Sequence, residues 1–184
     1  MPRRIHLALN TADNYPLAYF LTFTTYGTWL HGDNRGSVDP AHAAFDSAVL
    51  EPNASREETI RAHLGHQPVI LEASLRTAVE EAIRDRCRFR GWTLEALNVR
   101  TNHVHAVIAA LVSPERILSQ LKSRATRCCR EEGLIGADQP MWTRHGSTRY
   151  LWTEDDIERA CSYVAESQGP DLPRTRAVRV TKEL

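Results

Sequence analysis

Lysine is almost missing from this 184-residue chain: Lys122 and Lys182 are the only two, and every other permanent cation is arginine. The planar guanidinium suits phosphate, yet a GC-rich genome would produce the same bias. An excess of one charge is also missing, with 23 basic against 23 acidic residues, so the overall field does not announce a polyanion as partner. No apolar run approaches the roughly 18 residues that a membrane helix needs. The N-terminal stretch MPRRIHLALNTADNYP has two arginines but no adequate apolar core for a secretory signal, and the expectation is a cytoplasmic location. The four cysteines, two of them adjacent (Cys128 and Cys129), make neither a zinc spacing nor a disulfide framework.

What is present is an ordinary globular composition, 42% hydrophobic and 25% charged, which suits one domain over residues 1–184. Basic residues concentrate in the middle: residues 71–150 hold thirteen against nine acidic ones. Residues 18–26 alternate with aromatic and β-branched side chains and read as a strand. A polar, proline-containing excursion follows over 27–68, and residues 172–184 read as a flexible tail. From Ser74 to Arg90, Leu75, Val79, Ala82, Ile83 and Cys87 fall at helical spacing, with Gly91 as the stop. Residues 93–100 and 102–110 read as an antiparallel hairpin.

Ser113, Pro114 and Glu115 open a second helix, ended by Gly133, with Ile117, Leu118, Leu121, Ala125 and Cys128 as its buried stripe. Arg116, Arg124, Arg127 and Arg130 take its other side, either as a solvated face or as a track for a phosphate backbone. Residues 146–153 form a further strand, and Thr153 with Asp156 starts a last helix closed by Gly169-Pro170. The order strand, helix, strand, strand, helix, strand, helix predicts an α+β fold. It is a ferredoxin-like antiparallel sheet with helices on one face, plus a C-terminal helix.

The string NHVHAVI, 102–108, is the most specific chemistry on offer. In an extended backbone His103, His105 and Val107 share one face, while Val104, Ala106 and Ile108 share the other and are buried. Two imidazoles side by side on a strand begin a divalent-metal site; two surface histidines without a role are the bland alternative. Tyr163 lies at the border of the last helix's apolar face, defined by Ile157, Ala160, Cys161 and Val164. It is either an amphipathic core-edge residue or a nucleophile toward phosphorus, the second only if its helix packs beside the histidine strand.

These strings in this order resemble a known family. NHVHAVI resembles the His-hydrophobic-His motif of the HUH endonucleases. GTWLHGDNRG, WTRHGSTRYLWT and the helix with SYVAESQGP are similar to single-tyrosine transposases of the IS200-like insertion-sequence type, close to the REP-associated tyrosine transposases. The similarity runs from Tyr19 to about Pro173.

The resemblance implies a transposase-like endonuclease and strand-transferase acting on single-stranded DNA at hairpin-flanked sites. His103 and His105 would bind Mg²⁺ or Mn²⁺, and Tyr163 would form a 5′-phosphotyrosine. Relatives include monomers and homodimers. Where the family commonly has Asn or Gln four residues after the tyrosine, this chain has Ser167, a poor ligand for a hard cation. Gln168 and then Glu166 are the substitutes for the third metal ligand.

DNA contacts are expected from Arg124, Arg127, Arg130, Arg144, Arg149 and Lys122. Trp29, Trp142 and Trp152 either stack bases or fill the core. His31 is equally placed for the site or for loop capping, His145 either touches phosphate or is simply exposed beside a Gly-Ser turn, and Asn102 either orients an imidazole or finishes a turn. Two other readings stand beside this one. One is a domesticated protein that grips DNA hairpins without cutting. The other is a histidine-triad-type nucleotide hydrolase, which would want a third histidine where Val107 stands.

Overall fold

The computed structural model of the chain describes residues 15–28, 62–166 and 172. Four strands, β1 (Ala18–Thr24), β2 (Thr93–Val99), β3 (His103–Ala109) and β4 (Ser147–Leu151), form one sheet in the order β2-β3-β1-β4. All three pairings are antiparallel. Helices α1 (Ala73–Arg90) and α2 (Pro114–Glu131) complete the ferredoxin-like unit, and α3 (Glu154–Glu166) follows β4.

The two-residue period of β1 splits its sequence between two cores. Tyr19, Leu21 and Phe23 point to the α1/α2 layer, where they join Val104, Ala106 and Ile108 of β3 and the apolar stripes of both helices. Ala18 points the other way, into a smaller cluster with Val107, Leu151 and Val164, edged by Phe20, Ile157 and Cys161. The expectation of helices on one face therefore holds for α1 and α2, with the C-terminal helix in addition to them. The third helix lies across the opposite face, because Val107 and Leu151 leave apolar surface there that Val164 covers.

Local signals act as expected at most ends. Gly91 takes φ 66° and closes α1, a left-handed turn that glycine enters without a Cβ penalty. Ser113 accepts a hydrogen bond from the Arg116 backbone N–H, with Pro114 in the first turn of α2. Thr153 and Asp156 cap α3 reciprocally: Asp156 N–H donates to Thr153 Oγ1 at 3.1 Å, and Thr153 N–H donates to Asp156 Oδ2 at 3.1 Å. One stripe position differs. Cys129 is buried rather than Cys128, because Leu121, Ala125 and Cys129 continue a four-residue ridge. Cys128 sits beside it and donates to Glu132.

Residues 29–61 and 173–184 lie outside the described residues, and so do most positions of the excursion and tail. The chain leaves the sheet at Tyr26 and is back beside it at Val69, whose N–H donates to Tyr26 O at 2.9 Å. Among the described residues no helix is long and apolar enough to cross a membrane.

Candidate active site

The site begins with the register of three strands on the α3 side of the sheet. Thr22 of β1 pairs with His105 of β3 and with Ser147 of β4, while Thr24 pairs with His103. Directly opposed residues in an antiparallel ladder share a face. The imidazoles thus stand on the face that α3 covers, with ring centroids 4.7 Å apart. His105 is buried, at 8% exposure, while His103 is half-buried.

Each ring is held through Nδ1. Asn102 Oδ1 lies 2.8 Å from His103 Nδ1, and Thr22 Oγ1 lies 2.7 Å from His105 Nδ1. An amide oxygen only accepts, so in this contact His103 Nδ1–H is the donor. Orienting contacts of this kind on the far nitrogen are what a metal-binding histidine needs. Asn102, open between two roles in the sequence, orients an imidazole.

Tyr163 completes the group. Its ring is 5.8 Å from that of His105 and 5.8 Å from that of Phe20, both edge-on, and Phe20 is itself 5.4 Å from His105. Tyr163 is 46% exposed. Its helix is tied down by Asn98 of β2, whose Nδ2 donates to Val164 O at 2.9 Å. The helix that bears the tyrosine thus packs beside the strand that bears the histidines.

Of the two expected third ligands, Glu166 alone is among the described residues. Gln168 lies outside the described residues. Glu166 is exposed at the end of α3 and lines a surface groove with Asp155, Glu158, Arg159, Ser162 and Tyr163. Among the described residues no three His, Cys, Asp or Glu side chains converge as a metal cage. Two imidazoles with fixed rings fit part of a divalent-cation site.

The basic residues divide between the two faces. Arg124, Arg127 and Arg130 sit on α2, across the sheet from the histidines. Arg124 is half-buried and 3.8 Å from Glu131, Arg127 is exposed, and Arg130 donates to Gln139 O. Arg86 and Arg90 of α1 join this group, unforeseen in the sequence. Burial and the charges of Arg90, Arg124 and Arg127 lower the Arg86 guanidinium from its ordinary value.

Lys122 lines one surface groove with Arg127 and Arg130, but its ammonium is engaged by the chain itself. Its ammonium donates to Thr143 O at 2.9 Å and His145 O at 3.0 Å, beside the Phe23 ring, so it clamps the β4 approach rather than facing solvent. Burial pulls its pKa down to about 8. Arg144 and His145 are exposed before β4, and Arg149 is exposed on β4 itself. Trp142 packs on Phe23 and donates to Lys122 O, a core role, whereas Trp152 is half-exposed and stacked on Tyr150. Trp29 and His31 lie outside the described residues.

Phe20, Thr22 and Asn98 are site residues that the sequence did not single out. The alternation of β1 would have placed Phe20 and Thr22 away from Tyr19 and Leu21. Which strand they meet depends on pairings across 83 residues, which no local pattern reports.

Solved structures with related folds include a transposase candidate from Deinococcus radiodurans R1, at 15% identity and TM-score 0.48. That alignment covers 84% of this chain and 92% of that one. Another is a REP-associated tyrosine transposase bound to a REP hairpin, at 13% identity and TM-score 0.44, covering 85% of this chain and 70% of that one. No curated protein matches in sequence. The family model described as IS200-like transposase matches residues 66–165. The match takes in the histidine strand, both sheet helices and the tyrosine helix, so this chain belongs to the IS200-like transposase family.

Proposed function

We propose that the protein is a tyrosine endonuclease and strand-transferase acting on single-stranded DNA next to hairpins. The observation that carries this reading is the placement of Tyr163 within ring-contact distance of His105, on the one sheet face where both histidines stand. In the reaction the Tyr163 phenol gives up its proton, an Oη–P bond forms, and the P–O3′ bond breaks. The departing 3′ oxygen takes up a proton. The products are a 5′-phosphotyrosine and a free 3′-OH, and attack by another 3′-OH reverses the chemistry without a nucleotide cofactor.

His103 and His105 would hold Mg²⁺ or Mn²⁺, with Gln168 or Glu166 as the further protein ligand. The cation, when bound, supplies polarisation of the phosphate oxygens. The chain's own residues do the positioning. Thr22 and Asn102 fix the two rings, and Phe20 walls the tyrosine from the sheet. Asn98 holds the end of α3 against β2. The arginines of α2 offer phosphate contacts on the other face of the molecule, where a hairpin stem is the DNA form that suits them.

The test is a denaturing gel with labelled single strands tiled across the gene's flanks. A covalent adduct that needs Mg²⁺ or Mn²⁺ and vanishes in Tyr163→Phe is expected. A second reading is a non-cutting hairpin-binding protein, favoured by Ser167 standing where the family commonly has Asn or Gln. Hairpin binding without any adduct in either metal would select it.

A further inference from the structure

We infer that Arg149 binds the reacting phosphate from the β4 side, opposite the histidines, as the guanidinium partner of Tyr163. The inference rests on the endonuclease reading and adds to it the residue that neutralises charge at the cut.

The register places it there. Phe20 pairs with Arg149 on one side and with Val107 on the other, and Thr22 pairs with Ser147 and His105. Arg149 therefore shares the α3 side of the sheet with both histidines. Its neighbours in β4 agree: Leu151 is buried in the α3 cluster, and Tyr150 turns to the other face, edge-on to Tyr19. Adjacent strands lie about 4.8 Å apart, so the Arg149 backbone is next to Phe20, the ring that touches both His105 and Tyr163. A phosphate over Phe20 would have imidazoles on one side and this guanidinium on the other.

Charge points the same way. Arg84, Arg88, Arg124 and Arg159 each have a carboxylate partner, whereas Arg149 has none among the described residues. The groove along the exposed flank of α3 carries Asp155, Glu158 and Glu166 against Arg159, which is itself paired with Asp156, so it is a poor approach for a polyanion. On the sheet floor the unneutralised cation beside the tyrosine's ring contact is Arg149. Phosphate charge grows on the equatorial oxygens as Oη attacks. A planar fork can hold two of them at once, so its contribution increases toward the transition state.

The experiment compares wild type, Arg149→Ala and Arg149→Lys in single-turnover adduct formation on the tiled strand that wild type cuts. Each is measured with the natural linkage and with an uncharged methylphosphonate at the cut. On the natural linkage Arg149→Ala is expected to slow the adduct about 100-fold, Arg149→Lys less, with unfolding temperature unchanged. On the methylphosphonate the gap to wild type should close. An alanine variant as fast as wild type overturns the inference, as does an equal loss on both linkages. If wild type itself forms no adduct with any strand, the endonuclease reading falls and takes this one with it.

Discussion

Thr22 shows how much rests on one hydroxyl. Its Oγ1 fixes His105 through Nδ1, and valine keeps the β-branched shape while removing that contact. Thr22→Val should leave the fold intact and weaken Mn²⁺-dependent adduct formation about 10- to 100-fold, read as a shift in the metal titration. An unchanged titration would deny the hydroxyl any orienting role.

The titrating residues give a second expectation. Burial pushes the Cys87 thiol up to about 11 and Cys129 up to about 12. Burial and the hydrogen bond to Glu132 push Cys128 to about 11, and burial with Tyr150 pushes Tyr19 to about 12. A raised folded-state pKa gives stability that is full below the unfolded value and lost as pH climbs through the folded one. These groups therefore cost stability progressively above pH 9.0, the ordinary thiol value. Lys122 acts with the opposite sign, since its charge is disfavoured in the fold, and stability gains between about 8 and 10.5. Four groups outweigh one, so urea midpoints under reducing conditions should fall between pH 9 and 11. They should fall further in Lys122→Met, which removes the opposing gain. A level profile would contradict the burial of the thiols.

Among the elements, β4 meets β1 with little room at its start. Gly146 precedes β4, and a Cβ there would come within 2.7 Å of Thr22 O and 3.2 Å of Phe23 Cβ. Gly146→Ala must push β4 from β1, with a cost of about 1–3 kcal/mol. Because Thr22 moves with it, the adduct rate should fall alongside the melting temperature. Retention of both would mean that the strand ends are slack.

Element ends were legible where the signal is local. Ser113-Pro114 and the Thr153/Asp156 pair each act within one helical turn. The face taken by α3 was not legible, because it depends on which apolar residues the sheet leaves uncovered after α1 and α2 have docked. The roles of Phe20 and Asn98 were hidden for the same reason: Asn98 meets Val164 across 66 residues. The histidine pair and the tyrosine could be named from their strings, but the absence of Glu166 from a converging ligand group needed coordinates.

At the scale of the whole molecule, the sheet is a partition. One side carries the large core and the arginines of α1 and α2, the other the small core and the candidate chemistry. The two sides should fail separately. Leu121→Ala opens the large core and should cost about 2–5 kcal/mol of unfolding free energy. Arg127→Ala and Arg130→Ala should leave stability alone and lower the salt dependence of hairpin binding by about one counterion each. An unaltered salt slope would remove those arginines from the DNA path.

The strand at the centre of this partition, β1, is written in two interleaved messages. Tyr19, Leu21 and Phe23 spell the core, while Phe20, Thr22 and Thr24 spell the floor of the site. A substitution alters one letter of one message. Deleting a single residue within Ala18–Thr24 exchanges them, offering threonines to the core and aromatics to the site. A single-codon deletion here should therefore cost the core and the site together, where a missense change costs one of them.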